Sequence, residues 1–269
     1  MAEFLELLNY GFVIRALIAG ALISVCASVI GVILVLKHYS LIGHGLSEIG
    51  FASLSIAAAL NLPYMLVSIP LMILSAFGIL FVSQKFKSSG DNAIAIASTG
   101  ALALGILINS LNNTGANIFS YLFGSVLAMS ENDFWVSIIL SILILAVYII
   151  FYNRIFLTTY NSEYARSLGI NSTFYDALIS ILTAFIVVAG MRITGTLLIS
   201  GIIILPAMTA KNFSGGFLKI TIIAGIISFL TFTAGIFLSL AFNTPAGAGI
   251  ILVNIILMAL IFIFKHHDR

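Results

Sequence analysis

Residues 16–36 read ALIAGALISVCASVIGVILVL, a run of 21 residues without one charged side chain. A bilayer's hydrocarbon core is about 30 Å thick and takes about 20 apolar residues per helical crossing. This run is therefore long enough to span. The rest of the chain is built the same way: of 269 residues, 61% are apolar and 7% are Asp, Glu, Lys or Arg, with a mean hydropathy of +1.22. Soluble domains carry about 25% charged residues. Eleven basic and nine acidic side chains cannot cover a water-facing surface of this size. That excludes a cytosolic enzyme, a nucleic-acid binder and a disordered chain, and predicts an all-α polytopic membrane protein. The sole cysteine, Cys26, lies within the run, so the chain has no internal disulfide. The first ten residues, MAEFLELLNY, hold two glutamates and no basic residue, unlike the n-region of a cleavable signal peptide.

Outward from that run, charges and Pro/Asn/Gly clusters act as punctuation. Ile49–Gln84 breaks at Asn61-Leu62-Pro63 into a short span and a full one. Asn92–Ser130 breaks at Asn112–Gly115, and Phe134–Asn153 is unbroken. Ala177–Met191 and Ile193–Ala210 are separated by Arg192, and Ile220–Phe264 breaks at Asn243–Gly247. About nine hydrophobic segments result, eight or nine of them spans. With the N-terminus outside, the cytoplasmic side holds Lys37, Lys85, Lys87, Arg154, Arg166, Lys211, Lys219, Lys265 and Arg269. The outer side holds only Arg15 and Arg192, with Glu3, Glu6, Glu131 and Asp133. Basic residues concentrate on the cytoplasmic side of membrane proteins, so this asymmetry sets the orientation. It also calls for an odd number of spans.

On the first span, Gly20, Ser24, Ala27, Ser28 and Gly31 place small residues about four apart. That spacing permits close helix approach, in a packed bundle or at a homodimer face, though small residues are common in membrane helices generally. The longest polar stretch is 154–176, RIFLTTYNSEYARSLGINSTFYD. Ser162 fits as an N-cap, Glu163 follows in the first turn, and Gly169 can end the helix in a left-handed conformation. Tyr164, Ala165 and Leu168 then form an apolar face. Such a capped turn outside the bilayer either docks to a cytoplasmic partner or lies on the membrane.

Within the spans polar groups are scarce, and therefore informative. Residues 37–50 read KHYSLIGHGLSEIG, with His44 and Glu48 four apart and so on one helical face. An imidazole and a carboxylate so placed can ligate a divalent cation, or simply hydrogen-bond to each other. Pro206 falls within a span and is expected to kink or break it; Pro245-Ala246-Gly247 opens the last one. There is no intramembrane aspartate pair, since Asp91 and Asp176 sit at boundaries. Ser200-Gly201 lacks the preceding glycine of a membrane serine protease. No Walker-type phosphate loop occurs, so any ATP is hydrolysed by another chain.

Four segments in order, from about Arg15 to Ile263, resemble the membrane permeases of bacterial ABC importers for zinc, manganese or iron. ALIAGALISVCASVIGVILVLKHYSLIGHGLSEIGFASL is similar to the family's first helix and the segment after it. YNSEYARSLGIN resembles the cytoplasmic coupling helix, with its Ala-x-x-Leu-Gly pattern. MRITGTLLISGIIILPAMTAKN, with Gly195 and Pro206, resembles the Gly-x-Leu-Leu…Leu-Pro-Ala signature. GIFLSLAFNTPAGAGIILV, with Pro245 and Gly247, resembles the segment before the last helix. Members usually carry an acid where His44 stands and a histidine where Glu48 stands, so the pair is swapped at the same spacing.

The resemblance implies a type II-like importer bundle, with residues 1–269 as one transmembrane permease domain in the bacterial cytoplasmic membrane. It implies a metal path at His44 and Glu48, and ATPase coupling through Glu163, Tyr164, Ala165, Arg166, Leu168 and Gly169, within a coupling helix at about 161–171. The expected partners are a second copy, a cytoplasmic ATPase dimer and an extracytoplasmic metal-binding protein docking near Asn112–Asp133 and Asn243–Gly247. Zn, Mn or Fe is the cargo, and no cofactor is held permanently. An ion-coupled secondary transporter and a non-transport assembly protein are the alternatives. The first would need ionisable groups near the bilayer centre, which the later spans hardly contain.

Overall fold

The computed structural model describes residues 11–85, 90–111, 122–124, 130–213, 215–242 and 244–267. Eleven helices account for most of them. They are α1 (Gly11–Leu36), α2 (Ser40–Ala59), α3 (Tyr64–Lys85), α4 (Gly90–Leu111), α5 (Glu131–Ile150), α6 (Tyr152–Tyr160), α7 (Ser162–Ser167), α8 (Ser172–Thr194), α9 (Thr196–Lys211), α10 (Phe217–Phe242) and α11 (Ala246–His267). Eight of these, all but α6, α7 and α9, are long and apolar enough to cross a membrane. Eight lies within the eight or nine expected, but it is even, and the odd parity that the charges call for is reached only when the shorter apolar helix α9 is counted as a further pass. The part of the fourth segment beyond Asn112 lies largely outside the described residues.

α1 is the central post, packed against α5, α8, α9 and α10. Its small residues are what let them close. A Cβ on Gly20 would stand 2.1 Å from the Phe232 ring, and one on Gly31 would stand 1.8 Å from the Ile203 carbonyl oxygen. The carbonyl of Ser24 accepts a 2.7 Å hydrogen bond from Ser228 Oγ. The four-residue ladder on α1 is thus filled by this chain's own α9 and α10, and not by a second copy.

Charge punctuation misplaced two boundaries, for one reason. The short span expected from Ile49 is the full helix α2, which starts at Ser40 and takes in His44, Ser47 and Glu48. Its hydroxyls are satisfied locally: Ser47 Oγ donates to the His44 carbonyl at 2.7 Å and Ser53 Oγ to that of Gly50 at 2.7 Å. The helix ends at Ala59, and two residues on Asn61 takes the left-handed region at φ +52, ahead of Pro63. Likewise Arg192 does not divide two spans. It sits in the last turn of α8, where its Nη1 donates to Asp133 Oδ2 of α5 at 2.7 Å. Its guanidinium also covers the Tyr64 ring of α3, 4.4 Å from the centroid. A charge neutralised inside a bundle need not end a helix. The break comes instead at Gly195, φ +84.

α9 has 16 residues and continues through Pro206 without breaking. At 1.5 Å per residue it reaches about 24 Å, short of a full crossing. It still returns the chain from one end of the bundle toward the other. Lys37, Arg154 and Arg166 gather at one end, where Tyr152 and Phe156 stack on Phe217 of α10. Arg15 and Arg192 meet Glu131 and Asp133 at the other, so the two exceptions to the basic asymmetry are each paired with an acid.

Candidate metal path and coupling helix

The expected His44–Glu48 pair forms. His44 Nε2 lies 3.4 Å from Glu48 Oε1 across one turn of α2. The two side chains differ in setting: His44 keeps 49% of its exposure and Glu48 only 11%. Glu48 Oε1 faces the imidazole, whereas Oε2 is buried and has no hydrogen-bond partner among the described residues. A buried carboxylate oxygen left bare costs on the order of 1–3 kcal/mol or more, which a water, a hydrogen-bond donor or a cation would relieve. Among the described residues no three His, Cys, Asp or Glu side chains gather in a metal-sized group. One chain supplies two donors, from the half-exposed face of α2, and any fuller ligand set needs donors from elsewhere.

At the basic end, α7 is capped at both ends. The cap at its start is Asn161, not Ser162: Asn161 Oδ1 accepts from the amides of Glu163 at 3.1 Å and Tyr164 at 3.0 Å. Both residue types cap well, and here the chain adopts the extended conformation one residue earlier. At the other end, the Ile170 amide donates to the Ala165 carbonyl and the Gly169 amide to that of Arg166. With Gly169 at φ +78 this is a Schellman stop. The apolar face expected of Tyr164, Ala165 and Leu168 is divided. Ala165 is wholly buried against the chain, while Tyr164 and Leu168 are more than half exposed. Neighbours in a helix point about 100° apart, and here that turn takes Ala165 into the bundle and leaves Tyr164 at its surface. Glu163 and Arg166 are also exposed, and Arg166 Nε donates to Ser172 Oγ at 2.7 Å.

Between α7 and the end of α1 lies a polar cleft of about 920 Å³, lined in part by Lys37, His38, Glu163, Arg166 and Asp176. Lys37 Nζ and Asp176 Oδ1 form an ion pair there.

Two of the four signature residues meet at the opposite end. A Cβ on Gly195 would stand 2.3 Å from the Leu122 carbonyl oxygen, and one on Gly247 would stand 2.0 Å from that of Thr194. Gly124, at φ +76, completes the contact against Ile193, Thr194 and Gly195. Three separate segments therefore touch backbone to backbone. Pro245 precedes α11, with its carbonyl accepting from the Gly249 amide at 3.3 Å, and Pro206 is buried within α9. Sequence reasoning missed Gly124 and the Asp133–Arg192–Tyr64 cluster. The latter had a signal, since Ser130-Glu-Asn-Asp133 fits a capping box, and both of its hydrogen bonds form.

The chain is similar along its length to membrane proteins of metal uptake systems. It is 30% identical over 261 residues to the "Manganese transport system membrane protein MntC" of Halalkalibacterium halodurans, covering 97% of this chain and 89% of that one. It is 33% identical over 251 residues to the "High-affinity zinc uptake system membrane protein ZnuB" of Buchnera aphidicola, covering 93% and 96%. Among solved structures it overlays on one chain of "PsaBC from Streptococcus pneumoniae in complex with Fab" with a TM-score of 0.88, at 26% identity, covering 97% and 95%. Residues 9–265 match the ABC 3 transport family as a whole. With eight spans, that fold and a match over nearly its entire length, the chain is a multi-pass protein of the bacterial cell membrane and belongs to the ABC 3 transport family.

Proposed function

We propose that the chain is the permease of an importer that moves Mn²⁺, Zn²⁺ or Fe²⁺ into the cell, and that ATP is hydrolysed by a separate subunit. The observation that carries this reading is Glu48: a buried carboxylate with one oxygen unpartnered, 3.4 Å from an imidazole. A carboxylate and an imidazole suit borderline divalent transition metals and disfavour Mg²⁺, which holds its water and prefers an all-oxygen shell. Two copies facing each other across α2 bring two His44 and two Glu48, four donors in all. Such a sparse set suits a conduit, where binding must be strong enough to enter and weak enough to leave.

The exposed Tyr164, Leu168, Glu163 and Arg166 of α7 form the contact for the ATPase. Ala165 and Gly169 shape that contact from within, one by packing against the bundle and the other by ending the helix. The extracytoplasmic metal-binding protein docks at the opposite end, over the glycine junction that joins segments 122–124, 194–196 and 245–247. The cargo is substrate, and no cofactor stays bound.

The test is ATP-driven uptake by proteoliposomes that hold the chain with its ATPase and binding protein. Mn²⁺, Zn²⁺ or Fe²⁺ should accumulate inside only with ATP, and Mg²⁺ should not. Uptake driven by an ion gradient without ATP would overturn the reading in favour of a secondary transporter.

A further inference from the structure

α1 ends at Leu36 and α2 begins at Ser40, so three residues join the central post to the helix that carries His44 and Glu48. The middle one, His38, has φ +59. That left-handed conformation costs a residue other than glycine roughly 1–2 kcal/mol. The corner is held from outside. Lys37 Nζ donates to Asp176 Oδ1, and the two side chains keep only 7% and 9% of their exposure. Tyr39, on the far side of the corner, has its phenol pushed above the usual tyrosine value, first by burial and then by the Asp176 carboxylate. Asp176 lies in the second turn of α8. One turn earlier, Ser172 Oγ accepts from Arg166 of α7, and Asn171 caps α8 through the Phe174 amide at 3.3 Å. The first two turns of α8 are thus tied by side chains both to α7, at Ser172, and to the corner that starts α2, at Asp176.

Stability alone does not call for an ion pair here. Replacing both members of a buried pair with apolar side chains is often neutral or stabilising, whereas stranding one member costs roughly 3–5 kcal/mol. What a buried pair supplies beyond stability is register. We infer that Lys37–Asp176 is a positioning pair that passes movement of α7 to α2, and so sets where His44 and Glu48 stand when the ATPase acts. His44 lies four residues into α2, about 6 Å along its axis. A displacement of the corner therefore reaches the metal donors through little more than one helical turn. The inference rests on the permease reading above.

The test compares wild type with K37M/D176L in the reconstituted transporter. Two readouts are used: Mn²⁺ ions taken up per ATP hydrolysed, and the displacement of a spin label on Leu41 of α2 when the ATPase binds. The double variant should assemble, unfold at the wild-type temperature and hydrolyse ATP at the wild-type basal rate. Its Mn²⁺-per-ATP ratio should fall at least tenfold, and the Leu41 label should no longer move. K37Q/D176N, closer in shape, carries the same comparison if the first variant does not assemble. A wild-type ratio or a wild-type label shift in either variant overturns the inference. So does failure of both to assemble, which would make the pair a fold element. The ratio is read with Zn²⁺ or Fe²⁺ in place of Mn²⁺ if wild type imports one of those instead; if it imports none of the three, the permease reading falls, and the label alone then decides the relay.

Discussion

Glu48 keeps one buried carboxylate oxygen without a partner among the described residues, and that sets the sign of two effects. Changing it to glutamine keeps the volume and removes the charge. Glu48→Gln should lower Mn²⁺ uptake at least about tenfold, equivalent to about 1.4 kcal/mol. It should leave the unfolding temperature in detergent unchanged or raised, because an unpartnered buried carboxylate oxygen is relieved. A fall in both would mark the residue as part of the packing, not the path. His44 is half exposed, so His44→Ala should cost uptake with little effect on stability. The His44–Glu48 contact was legible in the sequence because four-residue spacing on a helix is geometry. The unequal burial of the pair was not legible, since it depends on which face of α2 the rest of the chain covers.

Among the elements, α7 separates a docking surface from its support. Leu168 is more than half exposed and Ala165 is buried. Leu168→Asp should abolish co-purification of the ATPase while the bundle unfolds at its usual temperature. Ala165→Arg should lower that temperature, because a guanidinium cannot be accommodated against the core. The glycines divide in the same way. Gly169 and Gly195 both have positive φ, but a Cβ on Gly169 meets nothing within 4 Å, whereas on Gly195 it meets backbone at 2.3 Å. Gly169→Ala should cost about 1 kcal/mol. Gly195→Ala should cost about 2–3 kcal/mol more, visible as a larger drop in thermal stability. The sequence located α7, its Gly169 stop and the span count. It misread the start of α2 and the end of α8, because charge punctuation assumes that a charge seeks water. Arg192 meets Asp133, 59 positions away, and no local pattern announces that partner.

For the whole molecule, the basic end should face the cytoplasm. Cys26 is buried, so introduced thiols report without background. Glu131→Cys should react with an impermeant maleimide added to intact cells, and Ser162→Cys should react only after the membrane is opened. The reverse pattern would invert the topology. The order of synthesis adds a constraint at the other end of the bundle. Gly247 closes on the Thr194 carbonyl from 53 positions downstream. The junction of Gly124, Gly195 and Gly247 therefore cannot close until the start of α11 has left the ribosome. Until then the turn between α8 and α9 is covered from the side of residues 122–124 alone, and the Thr194 carbonyl waits for Gly247. A chain interrupted before α11 keeps that turn open for good, which offers the cell's membrane proteases a way to tell an unfinished copy from a finished one.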